Sequence, residues 1–132
     1  MARASAALRD GERRGDWDAI EREALEILAG FHGTAAYRWL AGCEVLGREL
    51  PVLLPADGRI MRGVLDLLVR DGQALTIVDY KTDRVAKNDL AAKADEYRLQ
   101  GEAYRDAVRT AGGRKDVRFR LVFLRTGEMR EA

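Results

Sequence analysis

Two acidic residues stand inside apolar segments of this sequence, where a charged side chain is costly to bury. Asp66 interrupts the segment GVLDLLV, and Asp79 lies near the end of the segment ALTIVDY. A carboxylate in such a segment needs an ionic partner or a bound metal ion to offset the loss of its hydration. Lys81 follows Asp79 by two residues, so in an extended chain both side chains lie on the same face.

These three residue types are the ones that a hydrolytic metal site uses. Adjacent strands lie about 4.8 Å apart, so Asp66 and Asp79 on neighbouring strands could converge with Lys81. Hard divalent cations such as Mg²⁺ take carboxylate, water and phosphate oxygens as ligands. The metal acidifies a bound water, and a neighbouring lysine can orient or deprotonate that water or neutralise developing charge. The alternative is an ordinary Asp66–Lys81 ion pair, which the triplet alone favours, because so short a motif also occurs by chance.

Periodicity predicts the elements that must position these residues. Helical spacing begins at Asp16, and a short second helix is predicted over residues 34–42. Strands are predicted over 45–54, 60–69 and 74–80, and the two turns between them each contain Asp-Gly, which is typical of an antiparallel meander. Pro51 places the first strand at an edge of the sheet. The first helix has one apolar face, formed by Trp17, Ile20, Ala24, Ile27 and Leu28.

The pattern after the third strand predicts a long helix and a final strand. Apolar residues recur at helical spacing from Leu90 to Val108, and Gly112-Gly113 ends the helix. The segment VRFRLVFL then alternates, and we expect it to return to the sheet parallel to its neighbour. We therefore predict an α/β fold with a mixed sheet of about four strands and flanking helices. Residues 16–132 would form a single domain after a flexible or weakly helical lead-in over residues 1–15.

Composition narrows the function classes. The chain has 132 residues, and its 23 basic and 22 acidic side chains leave a net charge of +1. This balance argues against a polybasic binder, although a locally basic nucleic-acid site stays possible. The hydrophobic fraction of 47% excludes a disordered tail, and the single Cys43 excludes an intrachain disulfide and a four-cysteine metal site. With no signal-like or membrane-length apolar run, we expect a cytoplasmic protein.

The wider pattern resembles the PD-(D/E)xK nucleases of the RecB/AddA helicase–nuclease type. The resemblance runs from about Phe31 to Phe123 through the segments RELP, GVLD and DYKTD and a following Y-x-x-Q-x-x-x-Y helix. It implies a restriction-endonuclease-like core and a metal-dependent DNA nuclease domain, of the kind fused to the C-terminal end of a recombination-repair helicase. The residues that carry it are Glu49, Asp66, Asp79, Lys81, Tyr97, Gln100 and Tyr104.

The resemblance also implies roles for individual residues. Asp66, Asp79 and the backbone carbonyl of Tyr80 would bind Mg²⁺ or Mn²⁺, and Lys81 would be catalytic. Glu49 would lie near the metal, although it could instead pair with an arginine, Arg48 or Arg62, at the strand edge.

The helix after the motif carries the remaining candidates. Gln100 and Tyr104 would flank the site, with ordinary core packing as the alternative for Tyr104, and Tyr97 is expected to pack. DNA phosphate contacts are expected from Arg84 and Lys87, which follow the motif closely, although each could be a solvated surface charge.

One feature of the family pattern is missing. Such nucleases usually carry a histidine ligand upstream in a G-T-x-x-H-like context, whereas His32 precedes Gly33-Thr34 and is predicted to be a surface or turn residue. The chain is also too short to contain a helicase, so we expect a C-terminal fragment or a reduced stand-alone relative.

Two functions therefore stay open. The first is a Mg²⁺-dependent DNA exonuclease acting in recombinational repair. The second is a weak or inactive nuclease-fold module that binds DNA, docks on a helicase partner or self-associates. A restriction-type hydrolase is disfavoured by the Q-x-x-x-Y helix.

Overall fold

The computed structural model describes residues 10–84, 86–114 and 116–132, without the side chains of residues 10–14, 56 and 87. Two helices precede a three-stranded meander, two further helices follow it, and two strands complete the chain. In order, the elements are α1 (Asp10–His32), α2 (Ala35–Gly42), β1 (Glu44–Ala56), β2 (Arg59–Asp71), β3 (Ala74–Lys81), a 3₁₀ turn (Lys87–Asp89), α3 (Leu90–Glu96), α4 (Arg98–Gly112), β4 (Val117–Phe123) and β5 (Glu128–Glu131).

The strands form one mixed sheet in the order β1-β2-β3-β4-β5. The antiparallel meander of β1, β2 and β3 and the parallel return of β4 beside β3 are confirmed. β1 lies at an edge of the sheet, as Pro51 indicated. The turn between β1 and β2 has φ values of 49° at Asp57 and 72° at Gly58. Aspartate and glycine tolerate this left-handed conformation better than other residues, so this dipeptide closes the hairpin.

The predicted α/β fold with a mixed sheet and flanking helices is confirmed, and the sheet has five strands where about four were predicted. β5 pairs antiparallel with β4 and contains only Glu128, Met129, Arg130 and Glu131. Four residues of which three are charged carry no usable alternation signal. The strand forms because a turn ending at Gly127, with φ 72°, folds the chain back along β4.

The helix boundaries also differ from the prediction. α1 already begins at Asp10, so residues 10–15 of the expected lead-in are helical, and residues 1–9 lie outside the described part of the chain. The single helix expected from Leu90 onward is two helices, α3 and α4. They are separated at Tyr97, where φ is −95° and ψ is 1°. Both pieces keep the predicted buried face, so the apolar spacing is correct although the helix is interrupted.

The sheet has a core on each face. The larger core lies under α3 and α4 and contains Leu90, Tyr104 and Phe119. On the other face, Phe31, Ala36 and Val122 belong to a smaller core beside α2.

The apolar face predicted for α1 is not covered within the described chain. Trp17 is 61% exposed, and Ile20 and Leu28 are each 57% exposed. The helical spacing therefore produces an apolar stripe that meets solvent instead of the core. None of the described helices has both the length and the apolar character needed to cross a membrane.

Candidate metal centre

The register of β2 and β3 brings Asp66 and Asp79 side by side. The β2–β3 pairing ends at Leu67 and Val78, and Asp66 and Asp79 are the next residues on their strands. The two carboxyl groups are close enough for Asp66 to raise the pKa of Asp79 through a side-chain contact. The structure thus joins two residues that are 13 positions apart in the sequence.

Asp66 occupies an irregular point of β2. Leu65 packs in the core under α3 and α4, whereas Leu67 packs in the core beside α2. Residues two apart in a regular strand share a face, so the alternation is broken at Asp66. Its Oδ2 accepts a hydrogen bond of 2.8 Å from the backbone N–H of Tyr80. This bond ties Asp66 to β3 between Asp79 and Lys81 and restricts its carboxylate to one orientation.

Asp79 and Lys81 form a largely buried ion pair. Lys81 Nζ lies 2.8 Å from Asp79 Oδ2, and the two side chains are 16% and 18% exposed, respectively. Burial raises the pKa of the Asp79 carboxyl, the Lys81 ammonium opposes that rise, and the neighbouring Asp66 carboxylate adds to it. Desolvation and the nearby Asp66 carboxylate both favour the protonated form of Asp79, so a bound cation would stabilise its ionised form.

The donor set fits a hard divalent cation. Asp79 Oδ2 is buried, and within the described part of the chain it is held by the Lys81 ammonium at 2.8 Å in an ion pair without a well-directed hydrogen bond. A buried acceptor without a hydrogen bond is costly unless another group satisfies it. Two adjacent carboxylates supply the oxygen ligands that Mg²⁺ or Mn²⁺ takes, with water completing the shell. Within the described ranges, no third Asp, Glu, His or Cys joins this pair.

Glu49 lies across from Asp66 on the neighbouring strand β1. Arg48 pairs with Leu67 and Leu50 pairs with Leu65, so Glu49 occupies the intervening position on the edge strand. Its φ of 48° is unusual for a residue other than glycine, and its side chain is exposed. The described residues show no ion pair between Glu49 and Arg48 or Arg62, and a place for Glu49 near the metal stays a prediction.

The three candidate residues of the helix after the motif differ in burial and in contacts. Tyr104 is buried and stacks on Phe119 with ring centroids 5.9 Å apart, which matches the packing alternative. Gln100 is half-buried in the first turn of α4. Tyr97, which was expected only to pack, has its ring centroid 3.9 Å from Lys81 Nζ. Its place three residues before Gln100 in the helix motif was the signal available in the sequence.

Arg84 forms an ion pair in this structure, and its expected contact with DNA phosphate stays a prediction. Arg84 contacts Glu23 of α1 at 3.1 Å, and its side chain is 78% exposed. Arg125 also binds Glu23, at 2.7 Å, and donates a hydrogen bond of 2.6 Å to the carbonyl of Thr82. The pKa of Glu23 is lowered by Arg125 first and by Arg84 second. Sequence reasoning missed Glu23 and Arg125, since no local pattern relates residues so far apart.

The structure adds little about Lys87 and His32. The side chain of Lys87 lies outside the described residues, and its backbone begins the 3₁₀ turn. His32 is exposed at the end of α1, with its ring 4.4 Å from that of Tyr37. Both rings line a mostly apolar cavity of about 600 Å³ that also contacts Tyr80.

Comparison with known proteins identifies related sequences. The family model described as the PD-(D/E)XK nuclease superfamily matches residues 1–132. An ATP-dependent helicase/nuclease subunit from Desulforudis audaxviator is 36% identical over 129 residues, covering 86% of this chain and 10% of the relative. The same-named protein from Lacticaseibacillus casei is 34% identical over 125 residues, covering 83% and 10%. The chain therefore spans about a tenth of the length of these curated relatives.

Proposed function

The chain belongs to the PD-(D/E)XK nuclease superfamily, and on that premise we propose that it is a metal-dependent DNA nuclease that hydrolyses phosphodiester bonds. The observation that carries the proposal is the convergence of Asp66, Asp79 and Lys81 at one point of the sheet, with Lys81 Nζ 2.8 Å from Asp79. An exonuclease acting on DNA ends during recombinational repair is the form of this activity that the sequence resemblance favours.

Asp66 and Asp79 would hold Mg²⁺ or Mn²⁺, and the carbonyl of Tyr80 between Asp79 and Lys81 is the third proposed ligand. Such an ion, when bound, lowers the pKa of a coordinated water and neutralises charge on the phosphoryl oxygens. The Tyr80 amide holds Asp66 in place through the 2.8 Å hydrogen bond. Because that bond fixes one ligand relative to the strand that carries the other, the pair is arranged before the ion arrives.

Lys81 would act on the attacking water and on the phosphate. An ammonium group has three N–H donors, and the Asp79 contact accounts for one direction. The others can orient the water or stabilise the negative charge on the phosphoryl group as the water oxygen bonds to phosphorus. The attacking water gives up one proton to solvent, the phosphorus–oxygen bond to the departing sugar breaks, and the sugar oxygen takes up a proton from solvent. The products are a phosphate monoester and a hydroxyl end.

A cleavage assay tests this function directly. The purified chain is incubated with labelled single-stranded and double-stranded DNA and Mg²⁺ or Mn²⁺, beside Asp79→Asn. We expect metal-dependent cleavage that falls by about 100-fold or more in Asp79→Asn, because the variant removes a proposed metal ligand and even the partners of such ligands are worth about 10–100-fold. The matched control is Asp95→Asn, an exposed aspartate of α3. An inactive parent, or equal rates for the parent and Asp79→Asn, would refute the proposal.

A second candidate function is favoured by the uncovered stripe of α1, formed by Trp17, Ile20 and Leu28. Exposed apolar patches of this kind mark protein contacts, and the relatives named above are helicase/nuclease subunits. In this alternative the chain is a weak or inactive nuclease-fold module that docks on a helicase partner through α1.

Binding to a helicase segment separates the two candidates. The helicase part of the Desulforudis audaxviator relative is the probe, and Ile20→Glu is the variant. Docking predicts a complex that Ile20→Glu disrupts and that the polar-face control Glu21→Gln retains. A concentration-dependent dimer without helicase binding would indicate self-association, and a monomer with no complex would eliminate the docking role.

A further inference from the structure

We propose that Tyr97 is a positioning residue for Lys81, which it holds against the Asp79 carboxylate by placing its ring under the ammonium group. The inference rests on the proposed nuclease function, in which Lys81 assists the attacking water. From the sequence, Tyr97 was expected only to pack. Tyr97 itself need not touch substrate or metal.

The ammonium group of Lys81 is held between two partners. Its Nζ lies 2.8 Å from Asp79 Oδ2 and 3.9 Å from the centroid of the Tyr97 ring. A cation within about 6 Å of the face of an aromatic ring is attracted to it, more strongly where water is excluded. The Lys81 side chain is only 16% exposed, so this contact is largely shielded from solvent. A lysine has a long flexible stem, and the ring removes positions that Asp79 alone would allow.

The ring of Tyr97 is itself fixed at both ends. Its backbone N–H bonds to the carbonyl of Ala94 at 3.1 Å, and its carbonyl accepts from the N–H of Gly101 at 2.9 Å. Its hydroxyl donates to Asp83 Oδ2 at 3.3 Å. The same Asp83 oxygen lies 3.3 Å from Lys93 Nζ. A side chain anchored by backbone and hydroxyl has little freedom to follow Lys81, so Lys81 must adapt to the ring.

Under this proposal, the break between α3 and α4 places Tyr97 where it contacts both Lys81 and Asp83. Tyr97 sits at the junction, with φ −95° and ψ 1°, instead of inside a continuous helix. Its hydroxyl therefore reaches Asp83, in the loop that directly follows Lys81. The ring thus contacts Lys81 while its hydroxyl is held by the loop that follows Lys81. An aliphatic side chain at this position would fill space but could not attract the ammonium group.

Three variants separate the ring from the hydroxyl and from general packing. Tyr97→Leu removes the ring, Tyr97→Phe keeps it without the bond to Asp83, and Tyr37→Leu removes a comparably half-buried tyrosine away from Lys81. We expect kcat for DNA cleavage to fall about 10-fold in Tyr97→Leu with KM unchanged, and to stay within about 2-fold in Tyr97→Phe. Tyr37→Leu and the affinity for Mn²⁺ are expected to stay near the parent values.

A second measurement is independent of catalysis. The chain contains four lysines, so selectively ¹³C-labelled lysine gives a simple NMR spectrum in which Lys81→Met assigns the signal. The ε-methylene protons of Lys81 should be shifted upfield by the Tyr97 ring. That shift should persist in Tyr97→Phe and disappear in Tyr97→Leu.

The two arms fail in different ways. If the parent does not cleave DNA, the proposed function is wrong, and the NMR signal still decides whether Tyr97 holds Lys81. An unshifted Lys81 signal in the parent overturns the positioning proposal even if cleavage is found. Equal losses of kcat in Tyr97→Phe and Tyr97→Leu also overturn it, because the hydroxyl would then be responsible instead of the ring. A kcat in Tyr97→Leu within about 2-fold of the parent overturns it as well.

Discussion

The two faces of the sheet differ in how much of their apolar surface is covered. On the α3/α4 face, Leu90 and Phe119 are buried, and Lys81 is enclosed by Asp79 and Tyr97. On the α2 face, the eight-residue α2 covers part of the sheet, a cavity of about 600 Å³ adjoins Tyr80, and α1 presents Trp17 to solvent. The face that holds the lysine therefore has the larger buried core, while the opposite face adjoins the uncovered apolar stripe of α1.

The largest expected effect on stability contrasts the buried Phe119 with the exposed Trp17 of α1. Phe119 is 1% exposed, and Phe119→Ala should lower the free energy of unfolding by about 3–5 kcal/mol, as expected for truncating a buried aromatic side chain. Trp17→Ala removes a larger but exposed side chain and should change the free energy of unfolding by less than about 0.5 kcal/mol. Urea unfolding followed by circular dichroism measures both. Similar losses would mean that α1 packs on the domain in solution.

The next effect contrasts two cations on the sheet. Lys81→Met should lower the cleavage rate by about 100-fold, because it removes the group proposed to assist the water. Arg118→Met removes one positive charge from an exposed position on β4 and should leave the rate close to that of the parent. Initial rates with labelled DNA at saturating Mg²⁺ measure both. A loss shared equally by the two variants would indicate a general charge effect on DNA binding.

The carboxylate pair predicts a pH dependence with a definite sign. The folded-state pKa of Asp79 is raised, mainly by burial, so the folded state favours its protonated form. Its contribution to stability is present below about pH 4, the ordinary aspartate pKa, and is lost as pH rises through the raised value. Relative to Asp79→Asn, the parent should therefore lose thermal stability as pH increases over this range. Thermal unfolding of both proteins from pH 4 to 8 measures the difference.

Added Mg²⁺ sharpens that measurement. Because ionised carboxylates bind the cation, Mg²⁺ should restore stability to the parent at the high-pH end and have little effect on Asp79→Asn. Equal stabilisation of both proteins by Mg²⁺ would place the cation at another site.

The smallest effect concerns the link between α1 and the loop after Lys81. Glu23 is exposed and joins Arg84 and Arg125, so Glu23→Gln should leave the thermal midpoint nearly unchanged. Amide hydrogen exchange should nevertheless become faster in α1 and at residues 82–84. Glu21→Gln, on the same helix, is the control. Unchanged exchange in Glu23→Gln would show that these ion pairs do not hold α1 in place.

Sequence reasoning succeeded where one element determines the outcome. The alternation of β4 predicted its buried face, and the Asp-Gly turns predicted the meander, because both depend on local backbone geometry. It failed at β5, whose four residues form a strand only because β4 is beside them. It also failed at Tyr97, where helical spacing continues although the helix does not.

The candidate site shows the same division. The sequence by itself determined that Asp79 and Lys81 share a face, since residues two apart in a strand must do so. Only the tertiary structure decided that Asp66 accepts from the Tyr80 amide, that Tyr97 lies under Lys81, and that the stripe of α1 is uncovered. Each of these depends on register or packing between elements distant in the chain. Periodicity predicts which face of a helix or strand a side chain occupies. The residue that this side chain contacts depends on how the elements pack together.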